Sequence, residues 1–159
     1  MILYYSASQK TKVFANVLGD ILGISPYELK SPLNDRPKLA FLFKSLYLAI
    51  SGKPYIVSNM PTTAGISELY LCAPIWGGGI AAPAKYFLRN AKLNDIKINL
   101  LLTCGSFSAS DKYKLKALVS LRKIECIPGE AYIFATTDTM PEPEVIKEQL
   151  VIMLGTKAD

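Results

Sequence analysis

The chain has 159 residues, half of them apolar and 19% charged, with a formal net charge of +5. That length supports one domain with a real core, and the composition excludes a disordered chain. Histidine is absent, which removes Ser-His-Asp and Cys-His nucleophilic sites, imidazole proton shuttles and most transition-metal sites together. Chemistry must therefore rest on a bound cofactor or on carboxylates, hydroxyls and lysines, and no catalytic residue or metal ligand is assigned. Cys72, Cys104 and Cys126 form no CxxC pair and read as small core residues rather than disulfide, zinc or redox groups. No apolar run reaches the roughly 18 residues of a spanning helix. Met1 leads straight into a strand without the basic start of a signal peptide, so a cytoplasmic protein is expected.

Strands and helices alternate along the chain. Ile2–Tyr5 is a short apolar run bounded by serine, as a buried parallel strand would be. Val13, Phe14, Val17, Leu18, Ile21 and Leu22 recur at helical spacing, with Gly23 as the stop. Tyr27–Lys30 is a weak strand. Residues 38–50 form a very apolar helix that interrupts the alternation. It reads chiefly as an inserted helix packed on the sheet, with an oligomer contact or a membrane-surface helix as functional alternatives. Leu69–Ala73 is a strand ended by Pro74, and Pro83 opens the helix marked by Ala84, Phe87, Leu88 and Ala91. Ile98–Thr103 is the next strand, and Leu115, Leu118 and Val119 mark a helix. Ala131–Ala135 and a helix through Ile146, Leu150, Met153 and Leu154 close the chain.

Such alternation predicts a single α/β domain over residues 1–159: a three-layer, doubly wound sandwich around a five-stranded parallel sheet. Ligands of these sheets sit at the carboxyl ends of the strands, where the strand order reverses. The three strongest strands end in the unusual loops 6–11, 74–79 and 104–108, which predicts one shared site. The first loop, Ser6-Ala7-Ser8-Gln9-Lys10-Thr11, opens a helix with hydroxyls and suits a phosphate, because unpaired N–H groups and the helix dipole favour an anion there. It is neither GxGxxG nor GxxxxGK[ST], so a mononucleotide fits better than a dinucleotide or P-loop ligand.

Charge is unevenly spread. Residues 85–123 carry Lys85, Arg89, Lys92, Lys97, Lys112, Lys114, Lys116, Arg122 and Lys123 against Asp95 and Asp111, whereas residues 124–159 are acidic. The basic stretch reads as solvated helix faces, since its cations alternate with core-type leucine and valine, and nucleic-acid binding is not expected.

Together the loops resemble the flavodoxin family, especially short members with a helix inserted before the third strand. Tyr5 to Lys12 is similar to the family's S-x-T-G-N-T phosphate loop. Ala73-Pro74-Ile75-Trp76-Gly77-Gly78-Gly79, with Pro83 and Phe87, is similar to its G-x-P-x-W-x-G…P…F segment, and Thr103-Cys104-Gly105-Ser106 resembles its third loop. The resemblance implies the strand order 2-1-3-4-5 and flavin mononucleotide (FMN) as cofactor. Ser6, Ser8 and Thr11 would hold the phosphate through hydroxyls, and the amides of Ala7, Gln9 and Lys10 would complete the cradle. Trp76 would lie against the isoalloxazine ring, Pro74 and Ile75 would border it, and Gly77 and Gly78 would let main chain approach it. Cys104, Gly105, Ser106 and Phe107 would close the far side.

Gln9 and Lys10 replace the family's glycine and asparagine, and a positive φ at residue 9 would cost about 1 kcal/mol or more. The basic balance also departs from the acidic electron carriers of the family. The implied function is electron transfer through the flavin to a protein or a quinone-like acceptor. The alternative is a flavin-free interaction module, with a homodimer through the 38–50 helix as one contact.

Overall fold

The opening apolar run is strand β1 (Ile2–Tyr4), buried on both faces as a central parallel strand must be. The structure, a computed structural model, describes residues 1–105, 110–136 and 141–155. Helix α1 (Lys10–Leu22) stops at Gly23, which takes the left-handed conformation and returns its N–H to the Gly19 carbonyl. There follow β2 (Tyr27–Glu28), α2 (Lys38–Ser51), β3 (Glu68–Trp76), β4 (Gly79–Ile80) and α3 (Ala82–Asn90). Strand β5 (Lys97–Cys104), α4 (Ser110–Leu121), β6 (Ile127–Ala135) and α5 (Pro143–Leu154) complete the chain.

Five parallel strands stand in the order β2-β1-β3-β5-β6. With the two-residue β4 set aside, this is the expected 2-1-3-4-5 order of a doubly wound sheet. Side chains alternate between its faces. Leu3, Leu71 and Leu100 pack into one core with Phe87 and Leu88 of α3 and Leu121 of α4. Ile2, Cys72 and Leu101 pack into the other with Phe14 and Leu18 of α1 and Ile146 and Leu150 of α5. The register sets Tyr4 beside Cys72 and Pro74 beside Thr103, so β1, β3 and β5 present their carboxyl ends at the same edge of the sheet.

Two expectations are corrected. Pro74 does not end its strand: β3 runs on to Trp76 and turns back through Gly77-Gly78 into antiparallel β4. The Tyr5 N–H bonds the Cys72 carbonyl at 3.0 Å, so Pro74, two residues on, faces the same edge, beyond the end of β1. No ladder donor is needed there, and the Pro74 carbonyl accepts the Ala81 N–H at 3.0 Å. The second correction concerns α2, whose packing on the body of the protein is slight. Only Leu48 is fully buried, in a small cluster with Leu33 and Ala82. Leu39, Leu42, Phe43, Leu46, Tyr47 and Ile50, spaced along one helical face, are 50% to 79% exposed.

Candidate functional site

Gln9 is the N-cap residue of α1 and holds φ at 64°, the left-handed conformation that the family's glycine would accept more easily. Its side chain makes no capping hydrogen bond, and no acidic residue stands in the first helical turn. Lys10 and Lys12 instead bring positive charge to the positive end of the helix dipole, an arrangement that favours an anion in front of it. Ala7, Ser8 and Gln9 are exposed, whereas Ser6 is only 3% exposed. Its Oγ is a buried polar atom without a hydrogen-bond partner among the described residues. Orphaned hydroxyls of this kind cost about 1–3 kcal/mol and so mark a place where a partner is missing.

The loop's backbone is fixed from outside. Asn34 Nδ2 donates to the Ser6 carbonyl at 3.2 Å, and Asn34 Oδ1 accepts from the Tyr5 hydroxyl at 2.7 Å. Sequence reasoning misses Asn34, which lies in the connection after β2 and carries no local signature. Thr11, expected to meet the phosphate, is 2% exposed, and its Oγ1 lies 2.8 Å from Thr103 Oγ1. That pair ties the start of α1 to the end of β5, so the hydroxyl joins the first loop to the third.

The second loop is a hairpin. Trp76 is half-buried, edge-on to Tyr5 at 5.7 Å and to Phe41 of α2 at 6.0 Å between ring centres. Gly77 and Gly78 hold φ at 55° and 78°, the pair of positive values a tight two-residue hairpin needs. A Cβ on Gly77 would stand 3.0 Å from that of Ala49, and one on Gly78 would stand 3.2 Å from the Tyr113 ring. The glycines thus serve the turn and the close passage of α2 and α4. Pro74 and Ile75 lie just before the turn, half-buried, and Cys104 is buried at the end of β5 beside exposed Gly105. Ser106 and Phe107 lie outside the described residues.

The structure therefore brings the Ser6–Thr11 loop, the Pro74–Gly78 turn and Cys104-Gly105 to one end of the sheet. Burial pushes the Cys72 thiol up to about 12, which keeps it protonated, and raises the Cys126 thiol as well. No group of three metal-ligating side chains occurs among the described residues, and no helix among them is long and apolar enough to cross a membrane.

No protein-family model and no curated protein matches the sequence. Solved structures do match its fold, which is that of the flavodoxin-like α/β proteins. A Bacteroides uniformis protein proposed to be a flavoprotein superposes with a TM-score of 0.69 at 16% identity, over 94% of this chain and 96% of that one. A flavoprotein from Lactobacillus acidophilus, solved in complex with FMN, gives 0.61 at 19% identity over 83% and 90% of the two chains. Oxidised flavodoxin 1 from Bacillus cereus gives 0.52 at 14% identity, over 99% and 97%.

Proposed function

We propose that this protein binds FMN at the carboxyl end of its sheet and carries electrons through it to a partner protein or a quinone-like acceptor. The carrying observation is the buried Ser6 hydroxyl, without a hydrogen-bond partner among the described residues, in the loop that leads to the uncapped start of α1. Ser6 would donate to the phosphate, Ser8 and the amides of Ala7 to Thr11 would complete the cradle, and Asn34 holds the loop's backbone in place. Trp76, Gly77, Gly78 and Gly105 would border the ring. Bound flavin supplies the redox chemistry, and the chain supplies binding, orientation and electrostatics. The fold shared with an FMN-bound protein supports the same reading.

The visible spectrum of the purified protein and titration of apoprotein with FMN test it, the expected results being a flavin absorbance and quenched flavin fluorescence. Ser6→Ala should weaken FMN about tenfold or more, the loss of one hydrogen bond to a charged group. The same variant should leave the flavin-free fold as stable as before, since an orphan is removed. Colourless protein that causes no quenching overturns the proposal. That outcome would favour the flavin-free interaction module, which the close packing of Ala49 and Tyr113 against Gly77 and Gly78 also suits.

The exposed face of α2 supports a homodimer. Its six large side chains, each 50% to 79% exposed, form one continuous apolar stripe. A contiguous stripe of this kind, unlike scattered single exposed side chains, marks a protein contact. Sedimentation should show a dimer that Phe43→Glu converts to monomer; a monomeric parent chain at high concentration sinks the idea.

A further inference from the structure

Four cations meet between α3 and α4 with no carboxylate of the described residues lining the cleft. Lys85 and Arg89 stand one turn apart on α3, Lys116 lies on α4 and Lys123 just beyond it. A cavity of about 580 Å³ is lined by Lys85, Arg89, Ser120 and Lys123 with apolar Ile80 and Leu88. A second, of about 430 Å³, shares Lys85, Ser120 and Lys123, adds Lys116 and reaches the Gly77–Gly79 turn. Among the described residues no aspartate or glutamate lines either one. Among the described residues the salt bridge is Lys97–Glu68, far along the sheet at the opposite strand ends, so the four cations are not paired with carboxylates there.

Like charges placed one helical turn apart repel, and a protein that keeps them facing a concavity holds a standing cost that an anion would remove. Two of the ammonium groups converge on one turn. Lys85 Nζ lies 3.4 Å from where a Cβ on Gly79 would stand, and Lys116 Nζ lies 3.4 Å from the same point on Gly78. Lys85 is half-buried, and burial together with the Arg89 charge lowers its pKa, so the pocket is already short of counter-charge. Leu115 and Val119, exposed on α4, supply an apolar wall to the second cavity. The volumes suit a small molecule.

We infer that the α3–α4 cleft binds a diphosphate group. The Arg89 guanidinium offers a planar fork to one phosphate, while Lys85, Lys116 and Lys123 are point charges that share the remaining oxygens. Two adjoining subsites with two common lysines fit two linked phosphates better than one. The site is separate from the Ser6 loop and stands whether or not that loop takes FMN.

The test is calorimetric titration of the flavin-free chain with inorganic pyrophosphate and, in parallel, with ADP, followed also by the fluorescence of Trp76, the only tryptophan. Binding should fall at least about thirtyfold in Lys85→Gln/Lys116→Gln, two charge-assisted contacts being lost. Lys147→Gln on α5 removes one charge elsewhere and should change it less than about twofold. Arg89→Gln and Lys123→Gln, at exposed positions, repeat the test should the first pair impair folding. Equal affinities for the two ligands assign an inorganic diphosphate, and tighter ADP assigns a nucleoside diphosphate resting on Leu115 and Val119. Absence of binding by both ligands overturns the inference, as does equal weakening by Lys147→Gln or a loss that follows Ser6→Ala instead.

Discussion

The two walls of the candidate site are built on opposite terms. The 6–11 loop is polar, exposed at Ala7, Ser8 and Gln9, strained at Gln9 and unsatisfied at Ser6. The 76–80 hairpin is free of such tension. Its glycines adopt positive φ readily, and the space their missing side chains leave is taken by Ala49 and Tyr113. One wall leaves a hydroxyl unsatisfied by the described residues, and the other is packed by the chain itself. Under the proposed function a phosphate would meet the open loop, whereas a ring would meet a hairpin already packed against Ala49 and Tyr113.

The largest effect expected of this contrast lies in the hairpin. Gly77→Val combines a left-handed backbone with a clash against Ala49 and should destabilise the protein by about 2–4 kcal/mol, read from urea unfolding. A negligible change would show that the wall yields easily. Asn34→Ala should come next, at about 2 kcal/mol, because it frees both the Tyr5 hydroxyl and the Ser6 carbonyl inside the structure. It should also weaken FMN, although Asn34 Nδ2 and Oδ1 are both occupied within the chain. Gln9→Gly should act in the other direction, raising stability by about 1 kcal/mol through relief of the positive φ. A loss there would mean that the glutamine side chain holds the loop. A separate effect is confined to alkaline pH. The Cys72 thiol keeps its proton in the folded protein, where its pKa is about 12 against an ordinary 9, so stability is full below pH 9 and declines between the two values. Cys72→Ala should flatten that decline in pH-jump unfolding.

The contrast also explains what could be read from the residues. Apolar runs ending in serine, proline or glycine reveal strands and the end of the sheet where their loops gather, since burial on both faces leaves a continuous hydrophobic signature. Pro74 was the misleading signal: proline usually ends a strand, and its tolerance here depends on β1 stopping at Tyr4, which is a property of a neighbour. The Trp-Gly-Gly-Gly-Ile string does contain a two-residue hairpin signal, hidden by its likeness to a ligand loop. Asn34 was illegible because its contacts are with residues 28 and 29 positions earlier. Periodicity showed that residues 38–50 form a helix, but it could not show which face the sheet covers. The basic stretch was legible as charge; that four of its members share a cleft depends on how α3 and α4 lie side by side.

The uncovered face of α2 has a consequence for how this protein behaves in a tube. A fold that leaves such a face bare gains stability from whatever covers it, by mass action, so its melting temperature is not a fixed property of the sequence. Were a second copy the cover, that temperature would rise with the protein's concentration.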